Sequence, residues 1–216
     1  MKVVKINLQG DYAEAVKEAV AVLKKGGSIV VPTDTVYGLL ANACDDKAVE
    51  QVFRIKKRDS DKPLPVLVRN LAWAREVAVI PTKLEPMLEK LWPGAVTVIL
   101  PRRPVISKLV SAGEKTFGLR IAAQPLVDRV LAKFGYPVIG TSANLSGYEG
   151  ADDPEEIRKQ FKGEIWQPDL LLDVGKMPSP LPSTVLDFSQ IKPRVVRIGA
   201  LNPAQLEQLL NIKFEL

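Results

Sequence analysis

The feature that most constrains this chain is a series of short apolar runs bounded by proline, glycine or polar clusters. "SIVVPTD" (28–34), "LPVLV" (64–68), "AVTVIL" (95–100), "FGLRIA" (117–122), "YPVIG" (136–140), "DLLLDV" (169–174), "STVLDF" (183–188) and "RVVRI" (194–198) have the length of strands. Between several of them lie helix start signals: Asn70, Thr82, Pro125, Asp153-Pro154-Glu155-Glu156 and Asn202-Pro203. Near the start, Tyr12, Ala15, Val16, Ala19, Val20 and Leu23 recur at helical spacing behind Asp11 as N-cap. Gly26-Gly27 stops the pattern, which predicts a helix over 11–25. A second helix is predicted over 46–57, stopping near "KKRDSDKP". Strands interleaved with helices predict an α/β fold with a mostly covered sheet. At 216 residues, 46% hydrophobic and 25% charged, a globular chain of one domain or two small ones is expected.

The chemistry is bounded by what is missing. The chain has no histidine, which removes the Ser-His-Asp triad, the Cys-His pair, the H-E-x-x-H zinc site and the usual neutral-pH base together. With a single cysteine, Cys44, neither an intrachain disulfide nor a structural zinc site is expected, and no metal-ligating residues are assigned. The N-terminus lacks the apolar core of a signal peptide and no apolar run approaches the roughly 20 residues of a membrane span, so a cytoplasmic protein is expected. A net charge of +5 permits an anionic partner without selecting one, because Lys and Arg are spread along the chain.

There is no Walker A motif and no G-x-G-x-x-G after a strand. Four other segments place polar groups after apolar strands, where α/β sheets tend to bind ligands. In "VVPTDTVYGL" (30–39), Thr33, Asp34 and Thr35 precede an apolar stretch read as a helix start. They either cap that helix or, through Thr35, bind a carboxylate or phosphate at its N-terminus. "KKRDSDKP" (56–63) concentrates cations, which suit a helix C-terminus or a phosphate clamp. Arg120 interrupts the strand "TFGLRI" (116–121) and must face solvent, pair with an acid or hold a substrate carboxylate. In "PVIGTSANLSG" (137–147), the spacing G-x-S-x-N around Ser142 looks like a nucleophile elbow, but no histidine can activate that serine. Its hydroxyls and amide either bond their own turn or hold phosphate and ribose oxygens. The stretch 174–184, "VGKMPSPLPST", is read as an extended segment because of its closely spaced prolines, and as a lid over bound nucleotide.

Taken in order, "VVPTDTVYGL", "KKRDSDKPLPVLV", "LWPGAVTVIL", "FGLRIA", "VIGTSANLSG" and "PSTVLDF…VVRIG" resemble the YrdC/TsaC family of L-threonylcarbamoyladenylate synthases over about residues 12–199. The resemblance implies a single-domain form with a twisted, open, mixed sheet flanked by helices and a concave, positively charged ligand cleft. It implies that L-threonine, bicarbonate or CO2, and ATP with Mg2+ are joined into threonylcarbamoyl-AMP, releasing pyrophosphate. A partner complex would then transfer the threonylcarbamoyl group to tRNA. Carried over residue by residue, it places Lys56, Arg58, Ser142 and Asn144 in positioning and electrostatic catalytic roles. It places Arg58, Lys62, Thr116, Ser142, Gly150 and Arg197 at ATP, and Thr35, Arg120, Gly140 and Ser183 at threonine. Three residues depart from the family pattern: Leu40 for a glycine, Asp59 for a proline, and Leu67 where some relatives place a histidine. The rival readings are a non-enzymatic module binding tRNA or double-stranded RNA, and carbamoyl transfer in metal-cofactor maturation. Few aromatics lie among the cations and no zinc-binding cysteines are present, which weighs against each in turn.

Overall fold

A computed structural model describes residues 1–149, 151–178, 181–190 and 192–214. Among these, the strands are β1 (Lys2–Lys5), β2 (Ile29–Val31), β3 (Gly38–Asn42), β4 (Val66–Leu67), β5 (Val96–Pro101), β6 (Thr116–Arg120), β7 (Val138–Ser142), β8 (Leu170–Asp173), β9 (Thr184–Asp187) and β10 (Arg194–Arg197). They form one open mixed sheet in the order β1-β8-β2-β3-β7-β4-β6-β5-β9-β10. The helices are α1 (Ala13–Lys24), α2 (Asp46–Lys56), α3 (Leu71–Val77), α4 (Glu85–Leu91), α5 (Pro125–Phe134), α6 (Pro154–Phe161) and α7 (Pro203–Leu210). The expected α/β architecture, an open mixed sheet flanked by helices, is what forms.

The helices begin and end for local reasons. Asp11 Oδ1 accepts from Ala13 N (2.9 Å) just ahead of α1, although Tyr12 holds the N-cap position itself. Asp45 Oδ1 accepts from Lys47 N to start α2, and Lys57 closes it in the left-handed region at φ 48°. Gln124 caps α5, Pro125 occupies its first turn, and Gly135 ends it at φ 87°. In α7, Asn202 and Gln205 form a reciprocal capping box. Thr82 opens a short 3-10 turn over 82–84 that leads into α4, rather than α4 itself.

The two faces of the sheet bury separate apolar clusters. One gathers Leu39, Ala41, Val66, Val98, Phe117, Leu119, Ile139 and Leu186 with side chains of α2, α3, α4 and α7. The other gathers Ile29, Val31, Leu40, Leu67, Val138, Leu170 and Leu172 under α1 and α5. Burial of β3 on both of its faces explains the main departure from the sequence expectation. The apolar stretch after Thr35 is not a helix start but strand β3, whose Leu39 and Leu40 point to opposite faces and are both completely buried. A strand buried on both sides loses its period-two signal and cannot be told from a helix by pattern alone. Strand β1, which pairs in parallel with β8, gives no readable signal because it is short and alternates little. No helix among the described residues is long and apolar enough to cross a membrane.

Candidate active site

The site follows from strand register. Side chains alternate across a sheet and bridge partners share a face. Gly38 pairs with Ser142, Leu40 with Gly140, Val138 with Leu67, Leu67 with Arg120, and Gly118 with Ile99. All of these residues therefore lie on one face, and α1 and α5 cover only the part around Leu40 and Val138. Beyond that part the floor is lowered by glycine. A Cβ at Gly140 would collide with the Leu67 side chain, and one at Gly118 would stand 2.9 Å from Thr97 Cγ2. A cavity of about 270 Å³ opens over this floor.

Ten of the twelve candidates line the cavity: Lys56, Arg58, Lys62, Ser142, Asn144, Arg197, Thr35, Arg120, Gly140 and Ser183. Thr116 shares their face but lies at the far end of β6, outside the cavity lining. Gly150 lies outside the described residues, as do positions 179 and 180 of the stretch read as a lid. Five cations and no carboxylate stand among the lining residues described.

Thr35 is not at a helix N-terminus, because β3 follows it. Instead Thr33 Oγ1 donates to Val36 O (2.6 Å) and accepts from Thr35 N (3.1 Å), closing the turn with side-chain bonds. That turn aims Thr35 Oγ1 at Arg120, which is 6% exposed. Arg120 Nε donates to Gly94 O (2.8 Å), Nη1 to Thr35 Oγ1 (3.1 Å) and Nη2 to Asp34 Oδ1 (2.5 Å). Arg120 therefore pairs with an acid and does not face solvent. Three of its five N–H groups are engaged, leaving two for a ligand.

Lys56 sits differently. It is 2% exposed, and its Nζ donates to Ser142 O (2.6 Å), Asn144 O (2.7 Å) and Asn144 Oδ1 (3.2 Å). Its own carbonyl accepts from Ser146 N (2.8 Å). All three ammonium protons are thus engaged by the loop after β7. Burial, and then the positive charge of Arg58, push Lys56 down to about 7. Ser142 Oγ donates to Asn144 Oδ1 (2.5 Å), an amide oxygen and not a base, so nothing here makes it a nucleophile. Asn144 Nδ2 donates to Leu145 O and Tyr148 O.

Arg58 lies half-buried, its Nη2 donating to Pro63 O (3.0 Å), and burial lowers its affinity for its proton against the opposing pull of Asp59 and Asp61. Asp59 itself pairs with Lys62 at 2.7 Å in an exposed bridge of the kind that costs little to break. Arg197 donates through Nε and Nη2 to Ser183 O, and Ser183 Oγ lies 2.8 Å from Thr97 Oγ1. Desolvation, then the charges of Arg120 and Arg58, lower Arg197 in turn. Ser146, one of the hydroxyls of the 137–147 segment, has a buried Oγ that lines the cavity without a protein partner. Of the other two departures from the family pattern, Leu40 fills the core between the sheet and α1 and α5, and Leu67 packs its side chain over Gly140. Among the described residues no group of three or more acidic or cysteine side chains could hold a metal ion.

The sequence model of the Sua5/YciO/YrdC family, described as "Telomere recombination", matches residues 21–199. A threonylcarbamoyl-AMP synthase of Pyrococcus abyssi is 29% identical over 196 residues, covering 90% of this chain and 57% of the relative. A putative threonylcarbamoyl-AMP synthase of Methanocaldococcus jannaschii is 32% identical over 189 residues, covering 86% of this chain and 87% of the relative. The crystal structure of P. abyssi Sua5 complexed with L-threonine superposes with a TM-score of 0.89 at 26% identity, covering 99% of this chain and 62% of that one. The chain thus spans a little over half the length of the P. abyssi relative. A family match across most of the sequence, joined to a shared fold, places this chain in the Sua5/YciO/YrdC family.

Proposed function

We propose that the cavity joins L-threonine, bicarbonate or CO2, and ATP into threonylcarbamoyl-AMP, releasing pyrophosphate. The observation that carries this reading is the convergence of Arg58, Lys62, Arg120 and Arg197 on a cavity with no lining carboxylate among the described residues. Such a site suits a ligand with several negative charges. The relatives named as threonylcarbamoyl-AMP synthases, and the relative complexed with L-threonine, support the choice of ligands.

The two open N–H groups of Arg120 would take the threonine carboxylate, with Thr35 and Ser183 hydroxyls beside it. The threonine amine, carboxylated to a carbamate by CO2 with loss of a proton to solvent, or by bicarbonate with loss of water, supplies an oxygen nucleophile. That oxygen forms a bond to the α-phosphorus of ATP as the bond to the β-phosphate oxygen breaks, and pyrophosphate leaves. Arg58, Lys62 and Arg197 would neutralise the phosphates, while Ser142, Asn144 and Ser146 orient them. The step asks for positioning and charge compensation and not for a histidine base. Mg2+ would enter on the phosphate oxygens and water, since the described lining offers it no carboxylate. An adjoining groove, sharing Val36, Ser142, Asn144 and Pro182 and flanked by exposed Tyr148 and Leu181, offers apolar surface to the nucleoside. A transferase complex acting on tRNA would consume the product, which would place the reaction in the cytoplasm.

The test is pyrophosphate release from ATP. Release that requires both threonine and bicarbonate is expected. Release indifferent to omission of threonine would reject the reading, and salt-sensitive RNA binding without it would favour the RNA-binding alternative.

A further inference from the structure

Tyr37 belongs to none of the ligand-contacting groups above, yet it is completely buried at the edge of the cavity. Its hydroxyl donates to Gly175 O (2.7 Å) and accepts from Val174 N (3.0 Å). Its main-chain N donates to Ala151 O, and its carbonyl accepts from Ala143 N (2.9 Å). One residue therefore ties together the loop after β7, the segment before α6, and the chain leaving β8. Two further bonds hold that chain: Met177 N donates to Asp152 O (2.8 Å), and Gly175 N donates to Asp173 Oδ1 (2.8 Å). Downstream of the anchored stretch, Pro182 and Ser183 return to line the cavity.

A phenylalanine would fill the same space but take the hydroxyl away from the N–H of half-buried Val174 and the C=O of exposed Gly175, loosening the tie between Tyr37 and this stretch. Burial pushes the phenol up to about 12, so it keeps the proton it donates. The hydroxyl is thus a fixed two-way connector and not an acid or base.

We propose that Tyr37 is a positioning residue, locking the 142–147 loop and the 174–177 stretch into one register before ligand binds. The kinetic part of this inference rests on the function proposed above; the lock itself does not.

Hydrogen exchange and steady-state kinetics on Tyr37→Phe test it. The Val174 amide is expected to exchange about tenfold faster or more, with the amides of α1 and α5 unchanged. KM for ATP should rise roughly tenfold while kcat changes less than about threefold, a split that general destabilisation would not produce. Gly175→Ala provides a second route should Tyr37→Phe fold poorly. Gly175 holds φ +82° with nothing within 4 Å of an added Cβ, so alanine strains the same connection without crowding it. It should show the same exchange and kinetic signature. Unchanged protection of Val174 in Tyr37→Phe, or lost protection with wild-type KM and kcat in both variants, would overturn the proposal. If wild-type protein releases no threonine-dependent pyrophosphate, the proposed function fails while the exchange result still decides the lock.

Discussion

Leu40 and Gly38 are neighbours on one face of β3, as Val138 and Gly140 are on β7. Around Leu40 and Val138 the face is roofed by α1 and α5, and both side chains are completely buried in an apolar cluster. Around Gly38 and Gly140 no helix covers the face, the glycines add no side chains of their own, Leu67 packs over Gly140, and hydroxyl, ammonium and guanidinium groups line the cavity. The same strands thus carry a stabilising half and a ligand half, separated by a step of two residues. Shifting any strand by one residue would send these groups to the opposite face, so the packing of the covered half also sets the register of the open half.

Arg120 is where this division should fail. Its guanidinium reaches the cavity, but it also pairs with Asp34, whose side chain is 13% exposed. Arg120→Ala is expected to cost on the order of 3–5 kcal/mol of stability, because a nearly buried carboxylate loses its partner. Threonine use should be lost with it. Adding Asp34→Asn should restore most of the stability, read by urea unfolding, without restoring threonine use. Recovery of both would show that Arg120 serves only the fold.

Lys56 gives a pH-dependent effect with opposite signs for stability and activity. Its lowered value of about 7, against an ordinary 10.5, means the folded protein binds fewer protons than the unfolded chain between those limits. Stability from this group therefore rises with pH across that window, by at most about 1.4 kcal/mol per unit. Activity should fall as pH rises through the folded value, because a neutral amine has two N–H groups for three loop oxygens. A kcat/KM profile measured from roughly pH 6 to 9, bracketing the neutral titration, should lose this limb in Lys56→Met. An identical profile in the variant would remove Lys56 from the account.

Much of the site was legible in the sequence and some could not be. The cations of "KKRDSDKP", Arg120 and the hydroxyl-rich loop after β7 stand out because polar groups after apolar runs are conspicuous. Strand β3 does not, since Leu39 and Leu40 are buried on opposite faces and leave no alternation to read. The engagement of Lys56 with backbone oxygens is hidden because carbonyl positions leave no mark in residue identities. Tyr37 escapes notice for a related reason: its partners lie 137 and 138 positions away. The link from β7 to β6, which brings Arg120 to the floor of the cavity, depends on β4, a strand of two residues whose register no pattern that short can specify.

The covered half stabilises and the open half binds, a division tested most directly by measuring Tm and kcat/KM side by side for Leu40→Ala and Arg58→Ala. Leu40→Ala should lose about 2–5 kcal/mol of stability, with kinetics near wild type while it remains folded. Arg58→Ala should keep its Tm and lose on the order of 2–4 kcal/mol of transition-state stabilisation. An Arg58→Ala protein with unchanged kcat/KM would contradict the account.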